Sequence, residues 1–172
     1  DMDNILVQNY KTSYGDIIVG VIDDKICLCD WRYRKARTAI DQRLCRHFNA
    51  KIVSGEHLVI DETVKQLDEY FAGRRHNFTV TTALAGTSFQ QTVWQHLQST
   101  PYGKTITYQN LAETVGNAKA VRAVANASGA NAVSILIPCH RVIGSDGQLT
   151  GYAGGIVAKQ TLISLEQANR SI

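Results

Sequence analysis

No stretch of the 172 residues is long and apolar enough to span a bilayer, which excludes a transmembrane helix. Cysteine is scarce: of four residues, only Cys27 and Cys29 are closely spaced, and this is no disulfide framework. Residues 1–10, DMDNILVQNY, lack the basic start and apolar run of a secretory signal. Together these absences imply a soluble, reduced, intracellular protein, cytoplasmic or, in a eukaryote, nuclear. There is no Gly-rich phosphate loop and no dinucleotide fingerprint, so no nucleotide cofactor is expected. Internal repeats and low-complexity segments are also missing. Acidic residues thin out along the chain: residues 1–85 carry 12 Lys+Arg against 12 Asp+Glu, and residues 86–172 carry 6 against 3. The whole net charge of +3 thus lies in the second half, a modest excess compatible with a nucleic-acid partner.

What is present reads as two unlike halves. In the first, GDIIVGVIDDKICLCDW (15–31) holds two β-rich runs separated by Asp23-Asp24, a hairpin signal. Residues 61–72 place Val64, Leu67 and Phe71 at helical spacing behind an acidic first turn, and Gly73 ends that helix. A boundary or linker is expected near residues 80–87. The second half is more helical. A helix over 87–100 is capped by Thr87 or Ser88, puts Phe89, Val93, Trp94 and Leu97 on one face, and stops at Pro101 and Gly103. Helices over 107–116, capped by Thr107, and over 117–131 flank a turn at Gly116-Asn117, a helix-turn-helix pattern. A strand-like run, AVSILIPC (132–139), a turn-rich loop and a last helix over 156–168 follow.

The third of these helices is rich in Ala, Ser and Gly, with Arg122 as its one large cation beside Lys119. Small side chains permit close packing against a neighbouring helix, or close approach to DNA with Arg122 as a probe. With so few long polar side chains it suits shallow, mostly sequence-independent contact better than base readout in a major groove.

IPCHRVIG (137–144) sets Cys139 beside His140. An ionised thiol is a strong nucleophile, and a nearby base favours ionisation. Neighbours in an extended chain point to opposite sides, so a direct Cys139–His140 contact needs a bend or a bridging water. Glu166 is the only acid after Asp146 and falls among Leu162, Ile163 and Leu165, where it could orient the histidine. The same cysteine also fits an inert core thiol. A cysteine hydrolase would normally draw its histidine from a distant element.

The segment ILIPCHRVIGSDGQLTGYAGG (135–155) resembles the active-site segment of the O6-alkylguanine-DNA alkyltransferases, the methylated-DNA–protein-cysteine methyltransferases. The resemblance extends through GKTITYQNLAETVGNAKAVRAVANASGAN (103–131) and the last helix, residues 87–167 in all. It implies an α/β (α+β) chain: a small ribonuclease-H-like sheet-plus-helix domain over 1–82, then a mainly helical alkyltransferase domain with a helix-turn-helix over 83–172. It implies Cys139 as alkyl acceptor, His140 as base through a water, and Glu166 as the residue that orients His140. Asn131 would tie the recognition helix to the active-site loop, and Tyr108 would rotate the target phosphate and protonate the departing guanine. Arg122 would fill the place of the flipped base. Gln90, Gln109, Asn117, Ser145, Ala123 and Ser128 match DNA-contacting positions. The carbonyls of Cys139 and Val142, the backbone NH of Ala153, and Tyr152 match the base pocket. The implied partner is double-stranded DNA containing O6-alkylguanine, engaged through its minor groove by a monomer without membrane association. The implied reaction is single-turnover transfer, extending to O4-alkylthymine, with no cofactor and no metal. Ser128 and Ala153 depart from the bulkier apolar residue and the serine of some relatives.

Other readings stay open on sequence. Cys27, Cys29, Cys45 and His47 offer four zinc-ligand types, with Cys27 and Cys29 on one strand face, but C-x-C is not the usual spacing. WRYRKAR (31–37) interleaves cations and aromatics, as a nucleic-acid contact or a solvated strand-to-loop surface. A non-catalytic damaged-DNA-binding module is the alternative function; such relatives lack the cysteine.

Overall fold

The computed structural model describes residues 3–171. Strands β1 (Asp3–Thr12), β2 (Gly15–Ile22) and β3 (Lys25–Trp31) form an antiparallel meander, and β4 (Ala50–Ser54) returns parallel to β1, giving the order β3-β2-β1-β4. The β2–β3 hairpin turns at Asp23 and Asp24 as expected. Both take positive φ, 49° and 61°, the backbone that a two-residue turn matched to strand twist requires. Helix α1 (Arg37–Phe48) joins β3 to β4 and was not anticipated. It buries only Ile40 and Leu44, too thin a stripe to declare itself in sequence. Helix α2 (Leu58–Phe71) starts three residues earlier than its apolar spacing suggests, because His57 Nδ1 accepts from the Val59 N–H at 3.0 Å and caps it.

Cys27 and Cys29 do not share a face. The β2–β3 register shifts between Gly20 and Val21, where Val21 pairs with Ile26 and Gly20 with Leu28. Cys27 is therefore the extra residue of a bulge. It packs with Ile5, Leu28 and Leu44 between the sheet and α1, whereas Cys29 packs with Ile17, Val19 and Trp31 on the opposite face.

The edge of β3 is covered by the second half of the chain. Ile26 N–H donates to the Thr81 carbonyl at 2.8 Å, and Ala83 N–H to the Ile26 carbonyl at 2.9 Å, so the expected linker is pinned as it crosses. Further along, Cys29 N–H donates to the Ala132 carbonyl at 2.9 Å. The run 132–139 is not the strand its composition suggests. It makes single bridges at Val133 and Ile137 and folds back through Ile135 at φ 72°, a backbone that branched residues rarely adopt. That fold-back buries Ile135 and Ile137 and delivers the chain to Cys139.

Helix α3 (Ser88–Gln98) opens with a reciprocal capping box between Thr87 and Gln90, and α4 (Tyr108–Thr114) with one between Thr107 and Asn110. Helix α5 (Val121–Gly129) is shorter than the expected 117–131. Asn117 Oδ1 accepts from the Lys119 N–H, holding residues 117–120 in a turn. Two-residue strands β5 (Ile106–Thr107) and β6 (Val142–Ile143) pair in parallel, and α6 (Ile156–Ala168) closes the chain as expected. One hydrophobic cluster joins the halves: Ile17, Trp31 and Tyr70 lie in it with Trp94, Leu111, Ile137 and Leu162. Among the described residues no helix is long and apolar enough to cross a membrane.

Candidate active site

After Pro138 the chain tightens into a 3-10 turn, Cys139–Arg141, closed by Arg141 N–H donating to the Pro138 carbonyl at 3.0 Å. Successive residues of such a turn are rotated by roughly 120°. Cys139 and His140 therefore diverge, and no direct hydrogen bond joins them. Instead His140, fully buried, commits Nε2 to Glu166 Oε2 at 2.6 Å. Its Nδ1 is buried and has no protein partner. A ring that donates from Nε2 to a carboxylate leaves Nδ1 with a lone pair, the form of a base.

Glu166 gathers four donor residues from three parts of the chain. Oε1 accepts from Arg141 Nε at 2.8 Å and from the Gly103 N–H at 3.1 Å. Oε2 accepts from His140, from the Tyr70 hydroxyl at 2.5 Å and from Arg141 Nη2 at 3.1 Å. Burial alone would raise its pKa, but the hydrogen bonds from His140 and Arg141 and the Arg141 charge prevail and hold the carboxyl well below the usual range. Burial lowers the pKa of His140 more than Glu166 raises it, so the resting imidazole is neutral. The Cys139 thiol is pushed up by burial, against a hydrogen bond from Asn131. The resting site thus holds a protonated thiol, a neutral base and an ionised carboxylate.

Asn131 links this turn to α5. Its Nδ2 donates to Cys139 Sγ at 3.3 Å and to the Ile137 carbonyl at 3.0 Å, and its Oδ1 accepts from the Val133 N–H at 2.9 Å. Cys139 lies in a cavity of about 940 Å³ whose walls include Tyr108, Arg122, Ser128, Asn131, Tyr152 and Ala153. Tyr108 keeps its phenolic proton, since burial raises its pKa. Val142 is buried on β6, and its N–H donates to the Cys139 carbonyl within the turn.

The remaining candidates are spread more widely. Arg122 and Ala123 are exposed at the start of α5, and Asn117 and Ser145 are exposed in turns. Gln109 is spoken for locally, donating to Glu113 Oε1 at 3.3 Å and to the Ala118 carbonyl at 3.1 Å. Gln90 has its side chain in the α3 capping box, and Ser128 is buried in the cavity wall rather than on the outer face of α5. Cys27, Cys29, Cys45 and His47 do not form a ligand set: among the described residues no group of three or more His, Cys, Asp or Glu side chains is placed to hold a metal.

Sequence reasoning missed Tyr70, Arg141, Lys159 and Arg34. Lys159 is fully buried, donates from Nζ to the Thr150 carbonyl at 2.8 Å, and stands 5.9 Å over the Tyr108 ring. Its signal was present: a lone lysine on the same face of an apolar helix as Glu166, two turns away. Arg34 donates to the Gly129 carbonyl at 2.8 Å and the Asn131 carbonyl at 3.2 Å while pairing with buried Asp30. In WRYRKAR, then, Arg34 and Arg37 are tied to Asp30, whereas Tyr33 and Lys35 are exposed. The Trp31 indole donates to the Tyr152 hydroxyl at 3.0 Å and lies against Gly154, where an added Cβ would meet the ring at 2.6 Å.

Comparison with known proteins converges on one family. Residues 88–168 match the model of the 6-O-methylguanine DNA methyltransferase DNA-binding domain. The chain is 48% identical over 108 residues to the methylated-DNA–protein-cysteine methyltransferase of Methanosarcina barkeri, covering 63% of this chain and 68% of that one. It is 52% identical over 106 residues to that of Mycobacterium leprae, covering 62% and 64%. The fold is similar to that of Mycobacterium tuberculosis OGT, solved in complex with DNA, with a TM-score of 0.81 and 34% identity over 96% of this chain and 94% of that one. With a cysteine lining the cavity and a neutral base and an ionised carboxylate buried in the same site, the chain belongs to the methylated-DNA–protein-cysteine methyltransferase family.

Proposed function

We propose that this protein repairs DNA by direct damage reversal, moving the alkyl group of O6-alkylguanine, and of O4-alkylthymine, onto Cys139 in a single irreversible turnover. The observation that carries this reading is the pairing of a buried thiol with a buried histidine whose Nε2 is held by Glu166 and whose Nδ1 is left free. A water bridging Sγ and Nδ1 would pass the thiol proton to His140, and Glu166 would balance the imidazolium that forms. The thiolate then attacks the alkyl carbon. The C–S bond forms as the C–O6 bond breaks, and the departing base takes a proton from the Tyr108 phenol. The product is a thioether that no group in the chain can cleave, so the protein is spent. No cofactor enters the reaction.

A base inside a duplex hides its O6 substituent and must be turned out of the stack, at a cost of roughly a few kcal/mol. The α4–turn–α5 unit serves as a helix-turn-helix whose small-residue face approaches the minor groove, and Arg122 at the cavity mouth fills the vacated place. Ala123, Asn117 and Ser145 lie where a duplex backbone would run, Tyr152 and Ala153 wall the base pocket, and the Val142 carbonyl is assigned to the base. Residues 1–82 form a ribonuclease-H-like unit, a reading supported by the antiparallel β1–β3 meander with β4 parallel to β1, and residues 83–172 form the alkyltransferase unit. The protein acts on duplex DNA as a monomer.

Mass spectrometry after mixing with a duplex holding one O6-methylguanine tests the reading. One added methyl on the Cys139 peptide, at no more than one per molecule, is expected. A bound but unrepaired duplex would instead leave a damage sensor. Cys139→Ala abolishes transfer and leaves duplex affinity largely intact. Arg122→Ala slows repair of the duplex more than reaction with the free base, and equal losses on both would remove its role in base extrusion.

A further inference from the structure

The His140–Glu166 pair has a third member that comes from the other half of the chain. Tyr70, in the last turn of α2, is fully buried, and its hydroxyl donates to Glu166 Oε2 at 2.5 Å. That oxygen also receives His140 Nε2 at 2.6 Å, and the Tyr70 hydroxyl stands 3.5 Å from His140 Nε2. With Arg141 Nη2 at 3.1 Å, three donors thus share one carboxylate oxygen, and Tyr70 and His140 are the two nearest. The phenol is a poor acid here, its pKa raised by burial and by the Glu166 charge, so it donates without giving up its proton.

We propose that Tyr70 is a positioning residue for the alkyl-transfer reaction: by sharing Oε2 it limits how much of the Glu166 charge reaches His140, and so keeps the imidazole neutral with Nδ1 free to take the Cys139 proton. The inference rests on the reading of Cys139 as acceptor. The other charged or titratable groups facing the pair are Arg141 from the 3-10 turn, Lys159 from α6, Tyr102 from the α3–β5 connection, Tyr152 from the loop before α6, and Cys139 itself. Arg141 and Lys159 lower the basicity of His140 through their charge. Tyr70 alone of these neighbours donates to the same oxygen as His140 without carrying charge.

The sign of the effect follows. Removing the hydroxyl strengthens the Glu166–His140 interaction and makes His140 more basic, so more of it is protonated near neutrality and fewer molecules hold a working base. The test is Tyr70→Phe, which deletes one oxygen and keeps the ring. The rate of Cys139 alkylation is measured against pH with two probes, the O6-methylguanine duplex and iodoacetamide, with the site read by peptide mass spectrometry. With both probes the acid limb is expected to move up by about half a pH unit or more. Rates fall several-fold at pH 6 and little above the limb. An unmoved limb, with rates unchanged or reduced equally at every pH, would make Tyr70 a packing residue and overturn the proposal. Iodoacetamide separates this from the functional reading. If the wild type leaves the duplex unrepaired while the iodoacetamide limb still shifts, only the function falls. Should the variant not fold, ¹⁵N-histidine NMR of the wild type decides: a neutral Nε2–H tautomer of His140 is expected at pH 7, and an imidazolium there overturns the inference.

Discussion

At the residue scale the site is a set of proton positions fixed by burial. Two pKa shifts, both downward in the folded state, make stability depend on pH. The unfolded chain protonates His140 below about pH 6.5 and Glu166 below about 4.3, while the folded chain resists both. The unfolded state therefore binds more protons on acidification, and stability falls as pH drops through these windows. Thermal melts should show a falling Tm below about pH 6.5 and more steeply below about 4.3. His140→Asn flattens the first part of that fall and Glu166→Gln the second, although both lower Tm at pH 7. Some of these residues were legible in sequence. Cys139 and His140 adjoin in a specific motif, and Glu166 is the lone acid of its region. Tyr70 was not, because its partner lies 96 residues away and nothing local marks a tyrosine that will meet a carboxylate.

At the element scale, α5 is held from behind. Arg34 donates to the carbonyl of Gly129, its last residue, and to that of Asn131 just beyond, and Arg43 Nη2 donates to that of Ala130 between them at 2.7 Å. Both arginines come from the first half and meet the negative end of the helix, where cations are favoured. Arg34→Ala strands these carbonyls and removes one counter-charge from buried Asp30. A loss of about 1–3 kcal/mol is expected in denaturant unfolding, with slower alkyl transfer because Asn131 is less firmly placed. Of the helices flanking the site, α3 and α4 were readable from their caps, and α6 matched to the residue. The run 132–139 was not. Its composition is that of a strand, but its backbone partners are spread between the β3 edge and its own turns, and periodicity carries no record of that.

At the scale of the whole molecule, the first half is part of the site and not an appendage to it. Trp31 braces the loop carrying Tyr152 and Gly154, Arg34 braces α5, and Tyr70 reaches Glu166. Residues 83–172 produced alone would expose the apolar surface that Trp31 and Tyr70 cover. The fragment should lose near-UV circular dichroism and transfer activity, and mixing it with residues 1–82 should restore part of both. Retained activity in the fragment alone would show the bracing to be dispensable.

Glu166 receives its donors from residues 63 and 96 positions upstream as well as from His140 and Arg141. A ribosome makes the nucleophile and its histidine before it makes the carboxylate that organises them. Until α6 emerges and docks, Cys139 sits in a chain whose histidine has no carboxylate to fix its tautomer. The base that is to take the thiol proton is therefore organised only when the last helix docks, and a chain cut short before Glu166 would hold the nucleophile without that organised base.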